Sequence, residues 1–383
     1  MKSSTLALYG ALVVLASCAT TPTALPTPPV RVRRQDPEPC ATTPTALPTP
    51  LPTLVQRDDQ IQPGEKHFAH LWQLTRRGNN AEGYWSFDGS KLVLQREVDG
   101  HCDRIFVLGE NGPELRQISS GKGVTTCSYF MPGNKEVIYA STQSGQSSCP
   151  GRPDMSEGYV WAIHPEYELY VQDLATGAER QLTNVPGYDA EATVSPLGDR
   201  IVFTSMRSGD LELWTCALDG SDAKQVTNEL GYDGGAFFSH DGKRLVFRAT
   251  KFTENGVGTR ERYVDLLAKN QIRPQLLDIY TCDVDGSNRR KVTDLGGASW
   301  APYFFPGDRR IIFSTNHHDT REKQVEFDLF AVNDDGTELE QVTTYVGFDG
   351  FAMFSPCGRW LVFASNRGGT ETGETNLFLA QWR

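Results

Sequence analysis

Gly187-Tyr-Asp-Ala-Glu-Ala-Thr-Val-Ser-Pro-Leu-Gly-Asp-Arg-Ile-Val-Phe203 returns 44 residues later as Gly231-Tyr-Asp-Gly-Gly-Ala-Phe-Phe-Ser-His-Asp-Gly-Lys-Arg-Leu-Val-Phe247. In each copy a polar turn containing Gly leads into a β-branched and aromatic run. Gly accepts the left-handed backbone that tight turns demand, and the run suits a buried strand. A third strand follows the first copy at Leu211-Glu-Leu-Trp214. Asp219-Gly220 is a hairpin signal leading into Gln225-Val-Thr227. The repeating unit is therefore four antiparallel strands.

The Gln-Leu-Thr ending or a near copy starts at Gln73, Gln117, Gln181, Gln225, Lys291 and Gln341, with gaps of 44, 64, 44, 66 and 50 residues. A minimal unit of 44 residues thus carries insertions in its second, fourth and fifth copies. Six four-stranded units predict an all-β fold, a six-bladed β-propeller over residues 67–383. The two ends are complementary. Asn376-Leu-Phe-Leu-Ala-Gln-Trp-Arg383 matches a third strand with no fourth, while His70-Leu-Trp-Gln-Leu-Thr75 is a fourth strand with no blade before it. The N-terminal strand is expected to close the last blade, which removes free sheet edges.

The segment before the repeats reads differently. Lys2 precedes an apolar run of 11 residues, Leu6 to Ala16, too short to span a bilayer comfortably. Residues 1–17 read as a secretory signal. Leu15-Ala16-Ser17-Cys18 resembles the bacterial lipobox, which implies that the Cys18 thiol is acylated. Ala19 after the cysteine, by resemblance to Gram-negative lipoproteins, implies an outer-membrane destination. Residues 18–66 hold 11 of the 22 prolines among Thr and Ala. Such a segment buries too little apolar surface to offset its ordering entropy, so a disordered tether is expected. The membrane is then met only through the lipid anchor. Cys18 to Pro28 recurs word for word at Cys40 to Pro50, a duplication of tether sequence.

With 37 Lys+Arg against 48 Asp+Glu, the formal net charge is −11. A nucleic-acid binder needs a basic face to displace counterions, so that class is excluded.

The Ser-Pro-Asp-Gly-type turn followed by Lys/Arg-x-Leu/Ile-Val-Phe resembles the repeat of TolB-type six-bladed propellers over Phe68 to Arg383. The resemblance implies a monomeric propeller in the cell envelope, in the periplasm or at the surface. It also implies a periplasmic or peptidoglycan-associated protein as partner, a peptidoglycan-associated lipoprotein being one candidate. TolB carries a small α/β domain before its propeller, where this chain has the Pro-rich tether.

In such a ring, the loops into the innermost strands and those joining second to third strands open on one face. The first set holds Glu82, Asp189, Glu191, Asp233 and Asp349, expected to ring one mouth of the central channel as an electronegative funnel. That ring would suit Ca²⁺, but no loop holds a contiguous calcium-ligand pattern, so no cofactor is expected. The second set carries the insertions, with Tyr159 and Trp161 in blade two and a short amphipathic helix over Glu261–Lys269 in blade four. Insertions on one face of a repeat fold mark the binding face. Arg207 and Arg367 end equivalent strands there and are placed to bind or to pair with the acidic ring.

Cys102, Cys127 and Cys149 map to the same face, and one disulfide is expected among them without a choice of pair. Cys216 and Cys282 share one slot in neighbouring blades and read as buried apolar residues. His317 and His318 are adjacent, and on a strand would point to opposite faces. No Gly-x-Ser-x-Gly elbow and no His-Glu-x-x-His is present. The reading is a lipid-anchored binding or scaffold module without a catalytic set. Its alternatives are a metal-assisted hydrolase or lyase using the channel carboxylates, and a small-molecule sensor or carrier.

Overall fold

A computed structural model describes residues 54–97, 102–109, 114–156, 158–321 and 325–383. The expected signal segment, Cys18, Cys40 and most of the expected tether lie outside the described residues. The described residues form six four-stranded antiparallel blades, the last extended by a fifth short strand. Blade one runs Asn79–Trp85, Leu92–Glu97, Arg104–Leu108 and Arg116–Gln117. Blade three, which has no insertion, runs Asp189–Val194, Ile201–Ser205, Glu212–Cys216 and Lys224–Gln225. Inner and second strands are almost wholly buried, because each blade is sandwiched between two neighbours. No helix among the described residues is long and apolar enough to cross a membrane.

The repeat motif is a hydrogen-bonding device. The hydroxyl of its Thr or Ser accepts from a backbone N–H near the start of the third strand in all six blades. The donors are Ile105, Leu169, Leu213, Ile279, Leu329 and Leu377, at 2.8 to 3.0 Å. The Gln amide folds back to donate to the carbonyl two residues on, at Gln73, Gln117, Gln181 and Gln225. In the turn between first and second strands, the Gly N–H donates to the Ser carbonyl three residues before it, as in Gly198 to Ser195 at 2.8 Å. Gly198 sits at φ 67°, the left-handed region that favours Gly.

The ends close as expected. Phe68–Gln73 pairs antiparallel with Asn376–Trp382. The bond from Leu377 N–H to Thr75 Oγ1 is the motif's own bond, made here between the two ends of the domain.

The boundary at residue 66 is moved by the structure. Val55–Gln56 pairs with Trp72 and Gln73 as a fifth strand, and Leu54 and Ile61 pack on the core. Glu65, read as tether, is buried in an ion pair with Arg367. Order therefore reaches back at least to Leu54, because strand pairing and a buried charge pair offset the entropy that composition alone suggested would dominate.

The insertions behave as a lid. Trp161–Ala162 from blade two pairs with Gln271–Ile272 from blade four in a two-stranded sheet. The helix spans Arg260–Leu267, and Thr259 Oγ1 caps it by accepting from Arg262 N–H. Tyr263 turns inward and donates its hydroxyl hydrogen to Asp210 Oδ1 at 2.5 Å. A Cys102–Cys149 disulfide ties blade one to the blade-two insertion. Cys127, the third candidate, is a free thiol, and Cys216 and Cys282 are free and buried.

Candidate functional site at the capped channel mouth

Every inner strand breaks its pairing register near its middle. At or within each break stands one residue with φ between 48° and 59°: Glu82, Cys127, Glu191, Gly235, Ala301 and Phe351. Left-handed backbone costs a non-Gly residue of order 1 kcal/mol, so five of these positions hold strain that the fold must impose. The bulge re-aims the side chain. Glu82, Cys127 and Glu191 are thereby brought together from three successive blades.

The cluster is buried and mostly paired. Glu191 accepts from Tyr232 Oη at 2.6 Å, Thr204 Oγ1 at 2.7 Å and Gly235 N–H at 2.8 Å, and forms an ion pair with Arg248. Arg248 also donates through Nε to Tyr232 Oη at 3.0 Å. Glu82 is less well served: among the described residues its one hydrogen bond comes from Cys127 Sγ at 3.6 Å. Burial, with the nearby Glu191 charge adding, raises its carboxyl to about 7. Above the cluster, Trp161 of the lid lies over the Arg248 guanidinium at 5.3 Å and edge-on to Tyr232. Below it, Tyr84, Tyr129, Phe237 and Tyr303 plug the channel with ring contacts of 5.2 to 6.2 Å.

The five expected carboxylates do not form one ring. Glu82 and Glu191 face the channel. Asp189, Asp233 and Asp349 lie in the seams between blades, each held by an arginine: Arg207 at 2.7 Å, Arg289 at 3.0 Å and Arg367 at 2.7 Å. The bulge is the reason: Glu82 and Glu191 stand at its positive-φ position, while Asp189, Asp233 and Asp349 stand two residues before that position in their strands, so the simple alternation of faces that the expectation assumed does not hold. Arg207 and Arg367 are engaged as the pairing partners of Asp189 and Asp349. Tyr159 is exposed on the lid, and Trp161 is turned inward.

Arg248 was missed in the sequence. Its guanidinium fills the space beside Gly235, where a Cβ would collide with Nη1 and Cζ, while Gly234 makes room for Tyr232 and Glu191. A Gly doublet where neighbouring blades carry side chains was the available signal. Gly235→Ala is expected to expel Arg248 from the cluster and to leave Glu191 without its charge partner. The expected cost is about 3 kcal/mol or more, read as a lowered urea midpoint. A midpoint equal to wild type would show that the guanidinium does not need this space.

Burial also raises Asp103, Glu168 and Asp233 to about 7, and Glu212 and Asp328 to about 8. A raised folded pKa means that the folded state holds its proton more tightly than the unfolded chain. The resulting stability is complete below the unfolded values near 4 and is lost as pH rises through about 7 to 8. Lowered groups such as Glu340 and Glu374, at about 2, act only in more acidic solution. The urea midpoint is therefore expected to rise as pH falls from about 8 to about 5.5. A flat or opposite trend would contradict these burial-driven shifts.

Ten large apolar side chains are strongly exposed among the described residues. Eight of them, Met155, Tyr159, Val185, Leu230, Val257, Val264, Val325 and Val346, stand in the loops and the short helix of the lid-bearing face, and only Leu197 and Leu339 lie in opposite-face turns.

Together the closed ring of blades, the capped channel and the apolar crown define a propeller with one differentiated face. The TolB beta propeller domain family matches residues 153–259. An uncharacterized protein of Agrobacterium fabrum is 28% identical over 161 residues, covering 36% of this chain and 54% of that protein. The Tol-Pal system protein TolB of Bordetella pertussis is 39% identical over 57 residues, 15% of this chain and 13% of that one. The chain thus matches about half of the first relative and a small part of the second. A solved oligogalacturonate lyase from Vibrio parahaemolyticus shares the fold with a TM-score of 0.51 at 11% identity, covering 86% of this chain and 97% of that one. The domain is a TolB-like six-bladed β-propeller.

Proposed function

We propose that this protein is a lipid-anchored envelope module that docks a periplasmic or cell-wall-associated protein through its lid-bearing face. The observation that carries the reading is the bias of strongly exposed apolar side chains to that face, eight of the ten among the described residues, since apolar exposure concentrated on one face suits an interaction surface. The channel supports the same reading. Its mouth is covered by Trp161, its carboxylates are divided between two layers, and an aromatic plug fills it below. Cys18 would supply the anchor, and the tether would supply reach. The TolB likeness makes a peptidoglycan-associated lipoprotein the first partner to try.

The test is proximity crosslinking from the anchored protein in its own envelope, comparing wild type with Tyr159→Ser/Val264→Asp on the lid and Leu197→Asp on the opposite face. One partner captured by wild type and by Leu197→Asp, but lost with the lid variant, is the expected result. Equal capture by all three, or no partner alongside turnover or binding of a small molecule, would replace this reading by the enzyme or carrier alternatives. Cys18→Ser is expected to release the protein from membranes in the same cells.

A further inference from the structure

His318, Glu326 and Asp328 bracket the loop that joins the second and third strands of blade five, Arg310–Thr315 and Asp328–Asn333. Each offers one ligand atom, and the three atoms lie within 4.8 Å of one another. His318 Nε2 is 3.0 Å from Asp328 Oδ2 and 3.8 Å from Glu326 Oε1. Yet both ring nitrogens of His318 are buried atoms without a hydrogen-bond partner. The short separation is therefore not a bond between the two side chains. The three donor atoms are gathered in one small volume.

That arrangement is what a cation imposes on its ligands. Metal–ligand distances of about 2.0–2.2 Å set ligand–ligand edges of about 3.0–3.5 Å, within the span of the two separations from His318 Nε2. The supporting contacts are of the kind that orients ligands. Asp328 is fully buried and accepts from Gln341 Nε2 at 2.8 Å and Thr343 Oγ1 at 3.1 Å. Glu326 Oε2 accepts from Arg321 Nη2 at 2.7 Å, which leaves Oε1 on the His318 side. Arg321 is itself fixed by two bonds of 2.7 Å to Asp319. The His318 ring rests against Phe330 with centroids 5.4 Å apart. The buried carboxylates of the neighbouring seams have Arg or Lys partners: Arg207 for Asp189, Lys291 for Asp278 and Arg367 for Asp349. Among the described residues, the only ion-pair partner of Asp328 is His318.

We infer that His318, Glu326 and Asp328 form a binding site for one divalent first-row transition-metal ion. One imidazole nitrogen and two carboxylate oxygens suit Zn²⁺ or Mn²⁺, with water completing the shell. The ion would tie both ends of the blade-five loop together. This site is separate from the channel cluster and does not depend on the docking reading.

The test uses tag-free full chain stripped with chelator and titrated with Zn²⁺ and Mn²⁺ by calorimetry, with Co²⁺ absorption reporting nitrogen and oxygen ligation. Wild type and His317→Ala are expected to take up one equivalent. His318→Ala and Glu326→Gln are expected to bind roughly tenfold or more weakly, and both substitute loop positions outside the blade strands. Wild type taking up no stoichiometric metal overturns the assignment. So does wild-type affinity in either ligand variant, because His318 and Asp328 would then be only an ion pair.

Discussion

A chain beginning at Arg76 is expected not to fold. It lacks Phe68–Gln73, the strand that completes the last blade against Asn376–Trp382. Phe68 and Leu71 are both buried, and each contributes about 1.5–3 kcal/mol when removed from water. The ladder of backbone bonds adds about 1 kcal/mol per bond net, and Leu377 N–H would also lose Thr75 Oγ1. The sum is on the order of 10 kcal/mol, comparable with the whole stability of an ordinary domain. Loss also leaves Asn376–Trp382 as an exposed apolar edge, which invites aggregation. Near-ultraviolet dichroism and size exclusion would read the effect. A chain beginning at Leu54 should give a cooperative monomer, and a peptide of residues 54–75 added to the truncated chain should restore it. A folded monomer beginning at Arg76 would mean that closure is dispensable.

This closure was legible because it is written in the same residues that build every blade. The Thr of the repeat serves one backbone N–H, so six copies of the motif report six copies of a bond, even where the two partners stand at opposite ends of the domain. Turn glycines and strand runs are likewise local signals. The shared face of the insertions followed from strand order alone. The site was less legible. Period-two reasoning puts Asp189 and Glu191 on one side of a strand, yet Glu191 at φ 59° reaches the channel while Asp189 stays in a seam with Arg207. A non-Gly residue forced into left-handed backbone by the curvature of a blade leaves no compositional trace. The Leu54–Lys66 segment was hidden for a related reason. Its order comes from Glu65 meeting Arg367, 302 residues away, and no local propensity encodes that.

Arg367→Met should be among the most destabilising single substitutions in the domain. The Arg367 side chain has no solvent exposure, nor do those of Glu65 and Asp349. It donates to Glu65 Oε1 at 2.9 Å, Glu65 Oε2 at 3.1 Å and Asp349 Oδ2 at 2.7 Å. One cation thus holds two carboxylates, and through Glu65 it fastens the N-terminal segment to the last blade. Met keeps most of the volume, so the loss is electrostatic. Removing one member of a buried charge group costs about 3–5 kcal/mol, because the remaining charges have neither water nor partner. Arg207→Met is the comparison. Arg207 serves one carboxylate and its side chain is 13% exposed, so water can reach the gap and a smaller loss is expected. The sign of the pH response separates charge from packing. Burial already raises Asp349, and without the guanidinium its carboxyl must take up a proton to stay buried. Its folded pKa then rises further above the unfolded one, and the variant's deficit should shrink as pH falls from about 7 to about 5. Glu65→Gln added to Arg367→Met should recover part of the loss for the same reason. A deficit that is independent of pH and unaffected by Glu65→Gln would mean that Arg367 acts by filling space, and that the N-terminal segment is held by strand pairing alone.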